Sequence, residues 1–299
     1  MEKAPNGLFL LDKEAGMTSQ TAVTRVKHLF GAEKAGHTGT LDPDATGVLP
    51  ILIGRAVKAS EFLLGKDKQY RAVMRLGLTS DTEDIGGRIL SRHEGAFPSA
   101  ADVMAAADTF CGEIRQIPPM YSALKRGGQK LVDLARRGIT VEREPRSVTI
   151  RRLIVTPISE TDYTLEVSCS GGTYIRTLCA SIGERLGTGA VMASLCRTGA
   201  AGFLLRDAVT LSSLASLPEE DRLSLLLPVE RLFETLPAVF LSPFFSHLAH
   251  SGCELYLKKI GLQAPIGTRL RLCDENGFFA VGEVRDYPDG PAVKSIRQF

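Results

Sequence analysis

The sequence contains no tryptophan and no long apolar run. Its 299 residues include 13 Phe and 6 Tyr, so a stacking surface built on tryptophan is excluded. No stretch approaches the ~20 apolar residues that a membrane-spanning helix needs. The first apolar run, residues 8–11, is followed at once by Asp12 and Lys13 and is too short for a signal peptide. We therefore expect a cytoplasmic protein without a membrane partner.

Cysteine and histidine are arranged in a way that argues against a metal site. The six cysteines are scattered, with no CxxC pair and no histidine at ligand spacing. In a reducing compartment such cysteines are expected to be small buried hydrophobes. We expect neither a metal nor a cofactor.

Positive charge is concentrated in one segment. The chain has a formal net charge of only +2, which does not by itself indicate a nucleic-acid partner. Residues 125–152, however, contain nine Lys or Arg and only three Asp or Glu. A basic patch of this kind is the electrostatic footprint expected for binding a phosphate backbone. A solvated helix face with clustered charge is the alternative that these residues leave open.

A stretch crowded with glycine and proline surrounds Asp42. Residues 37–50 read HTGTLDPDATGVLP, which cannot form an ordinary helix or central strand. Pro43 pushes Asp42 into extended geometry, so its carboxylate is held on a stiff, turned backbone, as a nucleophile or general base requires. An ordinary Asp-Pro turn is the alternative, and this stretch alone favours it.

Hydrophobic periodicity predicts alternating strands and helices. Gly171 and Gly172 precede Tyr174 and Arg176, whose side chains share one side if the segment is extended and diverge in the first turn of a helix. Strands are predicted at 7–13, 48–54, 68–77, 165–170 and 195–199, helices from about 19 to 30 and at 56–64, 100–110 and 179–186, two short helices within 211–236, and a small all-β module at 236–299.

Five segments in order resemble the bacterial tRNA pseudouridine-55 synthases, the TruB family of pseudouridine synthases. Five motifs in register are far more specific than one. They extend over residues 7–211, and the C-terminal segment resembles, more weakly, a PUA-type RNA-binding barrel. The segments are 7–19, 35–50, 68–71, 116–125 and 169–177.

The resemblance implies an α+β fold with a large mixed or antiparallel central sheet flanked by helices. It implies a catalytic domain at 1–235, with an RNA-gripping insertion at about 118–146, and a PUA-like β-barrel domain at 236–299. The implied reaction converts uridine to pseudouridine at position 55 of the tRNA T-loop, an isomerisation in tRNA processing. The N1–C1′ bond breaks, the base turns over and C5 bonds to C1′, without a cofactor. We expect a monomer that binds the T-arm of tRNA.

By resemblance, Asp42, Tyr70 and Arg176 are the catalytic residues. Asp42 is the essential carboxylate, which adds to the ribose or base or takes a ribose proton. Burial would neutralise it, so a fixed cation is needed, and we predict that Arg176 contacts it. The target nucleotide must be flipped out of folded RNA, and Tyr70 stacks on it. Its hydroxyl is a candidate for handling the C5 proton.

Further residues are assigned by the same resemblance. His37 is a candidate for the space that the flipped base vacates, or a loop histidine near a phosphate. Asp44 stands where many members have an apolar residue and adds negative charge near Asp42, and Val57 stands where Thr is common. Lining of the substrate pocket is expected for Lys13, His37, Tyr174 and Leu195, and RNA binding for Lys125, Arg126, Lys130, Arg136 and Arg137.

Three alternatives remain at this stage. One is a guide-RNA-dependent pseudouridine synthase, but such enzymes carry extra basic tails and this chain ends soon after its β module. Another is a non-catalytic RNA-binding or RNA-folding protein that retains the pocket. The last is a glycosidase that uses Asp42 and Asp44, which would leave the basic segment and Arg176 unexplained.

Overall fold

The structure, a computed structural model, describes residues 4–63 and 65–299. Strands and helices alternate through its first half, as the periodicity predicts. In chain order these elements are β1 (Gly7–Lys13), α1 (Ser19–Leu29), β2 (Ala35–His37), β3 (Thr46–Ile53), a 3-10 helix (Gly54–Phe62), β4 (Lys68–Leu76), β5 (Leu78–Ser80), β6 (Ile89–Arg92), α2 (Ala100–Asp108), β7 (Gly112–Gln116), β8 (Lys125–Arg126), β9 (Gln129–Lys130) and α3 (Leu131–Arg136).

The second half completes one sheet and forms another. Its elements are β10 (Arg146–Pro157), β11 (Asp162–Cys169), α4 (Ile175–Arg185), β12 (Ala190–Ala200), β13 (Phe203–Leu204), a 3-10 helix (Leu205–Asp207), β14 (Val209–Thr210), α5 (Leu211–Ser216), α6 (Glu219–Ser224), a 3-10 helix (Val229–Leu232), β15 (Ala238–Phe240), α7 (Pro243–His250), β16 (Leu255–Tyr256), α8 (Leu257–Ile260), β17 (Arg269–Asp274), β18 (Gly277–Tyr287) and β19 (Gly290–Gln298).

A ten-stranded sheet forms the centre of the molecule. Its order is β14-β1-β3-β12-β4-β11-β10-β7, with β2 on β3 and β13 on β12. Most pairs are antiparallel, but β1 with β14 and β3 with β12 are parallel. The buried residues of α1, α2 and α4 pack on this sheet in one hydrophobic cluster. The predicted α+β class with a mixed central sheet flanked by helices is confirmed.

Helix ends follow from local sequence. Thr18 caps α1, because its side chain accepts a hydrogen bond from the backbone N–H of Thr21. Gly31, at φ +59°, follows the last turn of α1, where a left-handed residue is needed. Ser99 and Asp102 form a capping box at the start of α2. These signals explain why both predicted helices are confirmed.

Several predicted elements need correction. The helix predicted at 179–186 begins at Ile175, so Arg176 lies in its first turn. The helix predicted at 56–64 is a 3-10 helix at Gly54–Phe62, and Leu64 lies outside the described residues, as do residues 1–3 of the predicted first domain. The cysteines are not uniformly buried: Cys169, Cys179 and Cys273 are buried, but Cys111 and Cys253 are exposed.

The C-terminal region forms a five-stranded sheet ordered β15-β17-β18-β19-β16. The prediction that this region is all-β is wrong, because it contains α7 and α8. Pro243 occupies the first turn of α7, and Phe245, Leu248 and Ala249 pack against the sheet, which is the helical spacing that the prediction overlooked. In the described part of the chain, no helix is long and apolar enough to cross a membrane.

One hydrophobic cluster joins the two sheets. Leu8 and Leu52, on β1 and β3 of the central sheet, belong to the same cluster as Phe233, Val281 and Phe299. Phe233 packs its ring against the rings of both Phe278 and Phe299, with centroids 5.6 and 5.4 Å away. The C-terminal sheet is therefore fixed to the back of β1 and β3 by apolar packing.

Candidate active site

A cavity of about 330 Å³ opens beside the loop that contains Asp42. Its walls are formed by segments that lie far apart in the sequence: the loop after β2, the start of β4, the insertion, α4 and β12. The lining residues include Gly39, Thr40, Asp42, Lys68, Tyr70, Ser122, Ala123, Leu124, Tyr174, Arg176 and Leu195.

The loop around Asp42 is fixed from below by buried polar groups. The hydroxyl of Ser19 donates to the carbonyl of Leu41 at 2.9 Å and accepts from its N–H at 2.8 Å. The carbonyl of Asp42 accepts from the N–H of Ala45 at 3.1 Å, which closes the turn around Pro43. Asp42 is thus presented on a backbone whose polar groups are already bonded.

Lys13 lies underneath this loop and is not among the residues that line the cavity. It is fully buried, and its Nζ donates to the carbonyls of Glu14, Pro43 and Ala45 at 2.8, 3.0 and 2.7 Å. Burial lowers the pKa of Lys13, while Asp44 and Asp42 oppose that shift. Lys13 is therefore placed to hold the loop and to contribute positive charge from behind, whereas the prediction had it in the pocket lining.

The predicted contact between Asp42 and Arg176 is confirmed. Nη2 of Arg176 lies 3.1 Å from Oδ1 and 2.9 Å from Oδ2 of Asp42, so one nitrogen contacts both oxygens. The same nitrogen donates to the carbonyl of Tyr121 at 3.0 Å. The Arg176 side chain is 7% exposed, whereas 39% of the Asp42 side chain faces the cavity and solvent. A buried guanidinium therefore supports a carboxylate that a substrate can reach.

Gln116 fixes the start of the helix that carries Arg176. Its side-chain amide donates to the carbonyl of Tyr174 at 3.2 Å and accepts from the Tyr174 N–H at 3.0 Å. Tyr174 is the N-cap of α4, with extended backbone geometry. The helix resolves the choice that the sequence left open, since Arg176 turns toward Asp42 from the first helical turn.

A second carboxylate, Asp84, approaches Arg176 from the other side. Its Oδ2 lies 3.7 Å from Nη1 of Arg176. Asp84 ends an acidic, hydroxyl-rich segment, TSDTED at 79–84, and no group of metal-ligating side chains forms in the part of the chain that the structure describes. Sequence reasoning missed Asp84, since nothing local distinguishes it from Asp81.

Burial raises the pKa of the Asp42 carboxyl above its ordinary value, and Arg176 opposes that shift. Asp84 and Asp44 add to the increase, and Lys13 works against it. Desolvation therefore outweighs the ion pair. Asp44 itself is exposed and does not line the cavity.

Tyr70 lies in the cavity wall with 8% of its surface exposed. Burial raises the pKa of its hydroxyl to about 12, against the opposing charge of Arg197. The phenol is therefore neutral near pH 7. Arg197 was not singled out from the sequence, yet it is fully buried next to Tyr70. Lys68, also missed, lines the cavity beside Gly39.

The other predicted substrate-binding residues fall into two groups. Tyr174 and Leu195 line the cavity as predicted. His37 is half-buried outside the lining, and its Nδ1 accepts from the N–H of Gly39 at 3.2 Å. Burial, with the charge of Arg197, lowers the pKa of His37.

The predicted RNA-binding residues lie together on the insertion. Strands β8 and β9 form a small two-stranded sheet, which α3 follows directly. Leu131 and Leu134 are the buried anchors of α3. All five predicted side chains are exposed: Lys125, Arg126, Lys130, Arg136 and Arg137.

Comparison of the sequence with protein families gives two adjoining matches. Residues 27–175 match the N-terminal domain of the TruB family pseudouridylate synthases, and residues 176–234 match the tRNA pseudouridylate synthase B C-terminal domain. Among named proteins, tRNA pseudouridine synthase B of Burkholderia mallei (strain NCTC 10247) is 46% identical over 274 residues, 91% of this chain and 90% of the relative. The protein of that name from Neisseria meningitidis serogroup B is 41% identical, over 93% and 89% of the two chains.

Solved structures give the same fold. A chain of a Cbf5-Nop10-Gar1 complex superposes with a TM-score of 0.76 at 27% identity, over 99% of this chain and 85% of that one. A chain of an H/ACA RNP bound to a substrate RNA containing 2′-deoxyuridine gives a TM-score of 0.73 at 24% identity, over 99% and 86%, which is a likeness of fold alone.

Proposed function

Since this chain belongs to the TruB family of pseudouridylate synthases, we propose that it isomerises uridine to pseudouridine in tRNA, at position 55 of the T-loop. The observation that carries the proposal is the contact between Asp42 and Arg176 in the wall of the cavity that Tyr70 also lines. A reachable carboxylate, a buried cation and an aromatic ring are what the reaction requires.

The residues of the cavity have separate roles in this reaction. Asp42 is the carboxylate that attacks the nucleotide or takes its proton, and Arg176 opposes the loss of charge that burial favours. Tyr70 stacks on the uracil once the nucleotide has flipped out of the RNA. Because its hydroxyl stays protonated near pH 7, Tyr70 enters the reaction as a neutral phenol, not as a ready phenolate. Tyr174 and Leu195 complete the cavity.

The RNA is bound mainly by charge. The exposed cations of the insertion face solvent next to the cavity, to which the insertion contributes Ser122, Ala123 and Leu124. Such cations neutralise phosphates without reading sequence. We propose that they bind the T-arm and that residues 236–299 form a PUA-like domain that contacts a more distant part of the tRNA. The proposed enzyme is a cytoplasmic monomer, with its catalytic domain at 1–235.

The alternatives are less well supported. The guide-dependent alternative has less support, because a relative named tRNA pseudouridine synthase B is 46% identical over 91% of this chain. A glycosidase would need both Asp42 and Asp44 at the sugar, but only Asp42 lines the cavity. A purely RNA-binding protein would have no use for the Asp42–Arg176 contact.

Tritium release tests the proposal directly. Purified protein is incubated with an unmodified tRNA transcript that carries C5-tritiated uridine. We expect release by the wild type and by Asp44→Asn, the matched carboxylate outside the cavity, and none by Asp42→Asn. A transcript with cytidine at position 55 should abolish release. Binding without release, or release only after guide RNA is added, would contradict the proposal.

A further inference from the structure

Arg197 is the largest fully buried side chain, and the roles above do not use it. It lies on β12 directly opposite Tyr70 on β4, and it pairs with Gly47 on β3 on its other side. Arg197 therefore lies between β4, which carries Tyr70, and β3, which continues from the Asp42 loop (residues 37–50). A register shift between Arg197 and Gly199 interrupts the β12–β4 ladder at this point, and such bulges re-aim side chains.

The donors of Arg197 are directed at the Asp42 loop. Nε donates to the carbonyl of Val48 at 2.8 Å, Nη2 to the carbonyl of Gly39 at 3.2 Å and Nη1 to the carbonyl of Thr40 at 3.5 Å. Val48 follows the loop's turn, and Gly39 and Thr40 precede it. Both arms of the loop are thus bonded to one planar group.

The guanidinium also acts on Tyr70, which lies directly opposite Arg197 on the neighbouring strand, since its charge opposes the rise that burial causes in the pKa of the Tyr70 hydroxyl. A guanidinium has five N–H donors, no acceptor and a positive charge, so the Tyr70 hydroxyl can face it only with its oxygen. The phenolic proton is then left to point away from Arg197. Because Tyr70 lines the cavity, an acceptor placed there is the partner available to it.

Stability does not explain the position of Arg197. Within residues 4–63 and 65–299, no ion pair with a carboxylate compensates its charge, and burial lowers its pKa. Burying a charge without an opposite charge is costly, and apolar residues of similar volume are often no worse for folding.

Gly47 shows how closely β3 approaches, since a Cβ there would lie 2.3 Å from the carbonyl oxygen of Arg197.

We propose that Arg197 is a positioning residue, which bonds both arms of the Asp42 loop and orients the Tyr70 hydroxyl so that this hydroxyl donates to a carbonyl oxygen of the flipped pyrimidine. A hydrogen bond to this carbonyl oxygen stabilises the negative charge that the uracil carries once its bond to C1′ has broken. This role rests on the proposed function, because it needs a pyrimidine in the cavity.

A spectroscopic signature tests the contact without any activity. The protein is labelled with 3-fluorotyrosine, and the Tyr70 resonance is assigned by its loss in Tyr70→Phe. We expect Arg197→Gln and Arg197→Lys to shift this resonance. The matched control is Arg222→Lys, since Arg222 also donates to backbone carbonyls, those of Leu29 and Leu217 among them, but lies outside the cavity. It should leave the Tyr70 resonance in place.

A double-mutant cycle tests the role. At saturating tRNA, Arg197→Lys should lower kcat about 100-fold when Tyr70 is present, as expected for a misplaced catalytic group. In the Tyr70→Phe background the same change should lower kcat only about tenfold, because the contribution through the Tyr70 hydroxyl is already lost and only the loop contacts remain to be removed. Thermal unfolding of each variant identifies any that fails to fold, and Arg197→Lys, which keeps the charge, is the variant expected to survive.

The outcomes separate the two proposals. An unmoved Tyr70 resonance, or equal losses of kcat in both backgrounds, would overturn the role of Arg197 in an active enzyme. A well-folded wild type that forms no pseudouridine would overturn the proposed function itself, and with it the donation to a pyrimidine.

Discussion

The Asp42 loop (residues 37–50) and the basic insertion (residues 118–146) both contribute to the cavity, but they are built in opposite ways. The loop is bonded from below by Lys13, Ser19 and Arg197, all of them buried. The insertion carries its cations in solvent, and in its two-stranded sheet Lys125 lies directly opposite Lys130. Like charges in that position destabilise a sheet unless an anion neutralises them.

The difference agrees with what each region is proposed to bind. A reacting carboxylate must be held within a few tenths of an ångström, which requires rigid supports. Phosphate binding depends on charge density and tolerates movement, because it releases counterions and reads no sequence. We therefore expect changes in the loop to lower kcat and changes in the insertion to raise KM. The predictions below test that contrast, in decreasing order of the expected effect.

Arg176→Ala should have the largest effect. It removes the cation between Asp42 and Asp84, so we expect kcat to fall about 100- to 1000-fold, as for other preorganised charges in active sites. The free energy of unfolding should fall by about 3 kcal/mol, the low end for breaking a buried pair, because Asp42 retains access to water. Single-turnover kinetics and urea unfolding measure both. Arg206→Ala, an exposed control, should change neither, and near-normal kcat in Arg176→Ala would contradict the prediction.

Lys13→Met should be next in size. Three carbonyls around the loop lose their donor, and leaving one buried acceptor unpaired costs about 1–3 kcal/mol. We expect kcat to fall about 100-fold with an unchanged Kd for tRNA, because a displaced loop misplaces Asp42. Stopped-flow binding and single-turnover rates distinguish the two, with Lys27→Met on α1 as the control. A raised Kd with normal kcat would mean that Lys13 contacts substrate after all.

Replacing Lys125, Arg126 and Lys130 together by Gln should act on binding alone. Removing three phosphate contacts lowers the slope of log K against log salt by about 3 and raises KM about tenfold at physiological salt, while kcat stays unchanged. A single exposed change elsewhere, Arg206→Gln, controls for the loss of a surface cation outside the insertion. Equal loss of kcat would contradict the contrast between loop and insertion.

The smallest effect concerns the stability of Asp42→Asn. Because burial raises the pKa of Asp42, its protonated form favours folding below the ordinary value of 3.8, and that contribution is lost as pH rises through the raised value. At neutral pH the Asn variant should therefore unfold at the same temperature as the wild type or slightly higher, and the gap should close in acid.

The raised pKa of Asp42 also determines how kcat/KM of the wild type depends on pH. The acid limb of kcat/KM should lie above the pKa of a free aspartate, since the free enzyme must ionise Asp42. An Asn variant that is less stable at neutral pH, or an acid limb at or below 3.8, would show that the ion pair outweighs desolvation.

Sequence patterns predicted what depends on local order. The alternation in β4 and the apolar spacing with Thr18 in α1 specify their elements directly. The motif around Asp42 and the one around Arg176 predicted a contact across 134 positions only because the family resemblance supplied it. Arg197 and Asp84 were missed because the local sequence does not show whether an arginine in a strand or an aspartate in a turn is buried or exposed. The partners of Arg197 become its neighbours only when β12 enters the sheet between β3 and β4.

The apolar cluster between the two sheets has a consequence for substrate size. Leu8 and Leu10 belong to the strand that ends at Lys13, and the same strand packs against Val281 of the C-terminal sheet. The distance between the cavity and the C-terminal sheet is thereby fixed. For the proposed tRNA, a helical arm lengthened or shortened by a few base pairs would no longer reach both ends at once, so the fold itself would select RNAs by the length of their arm.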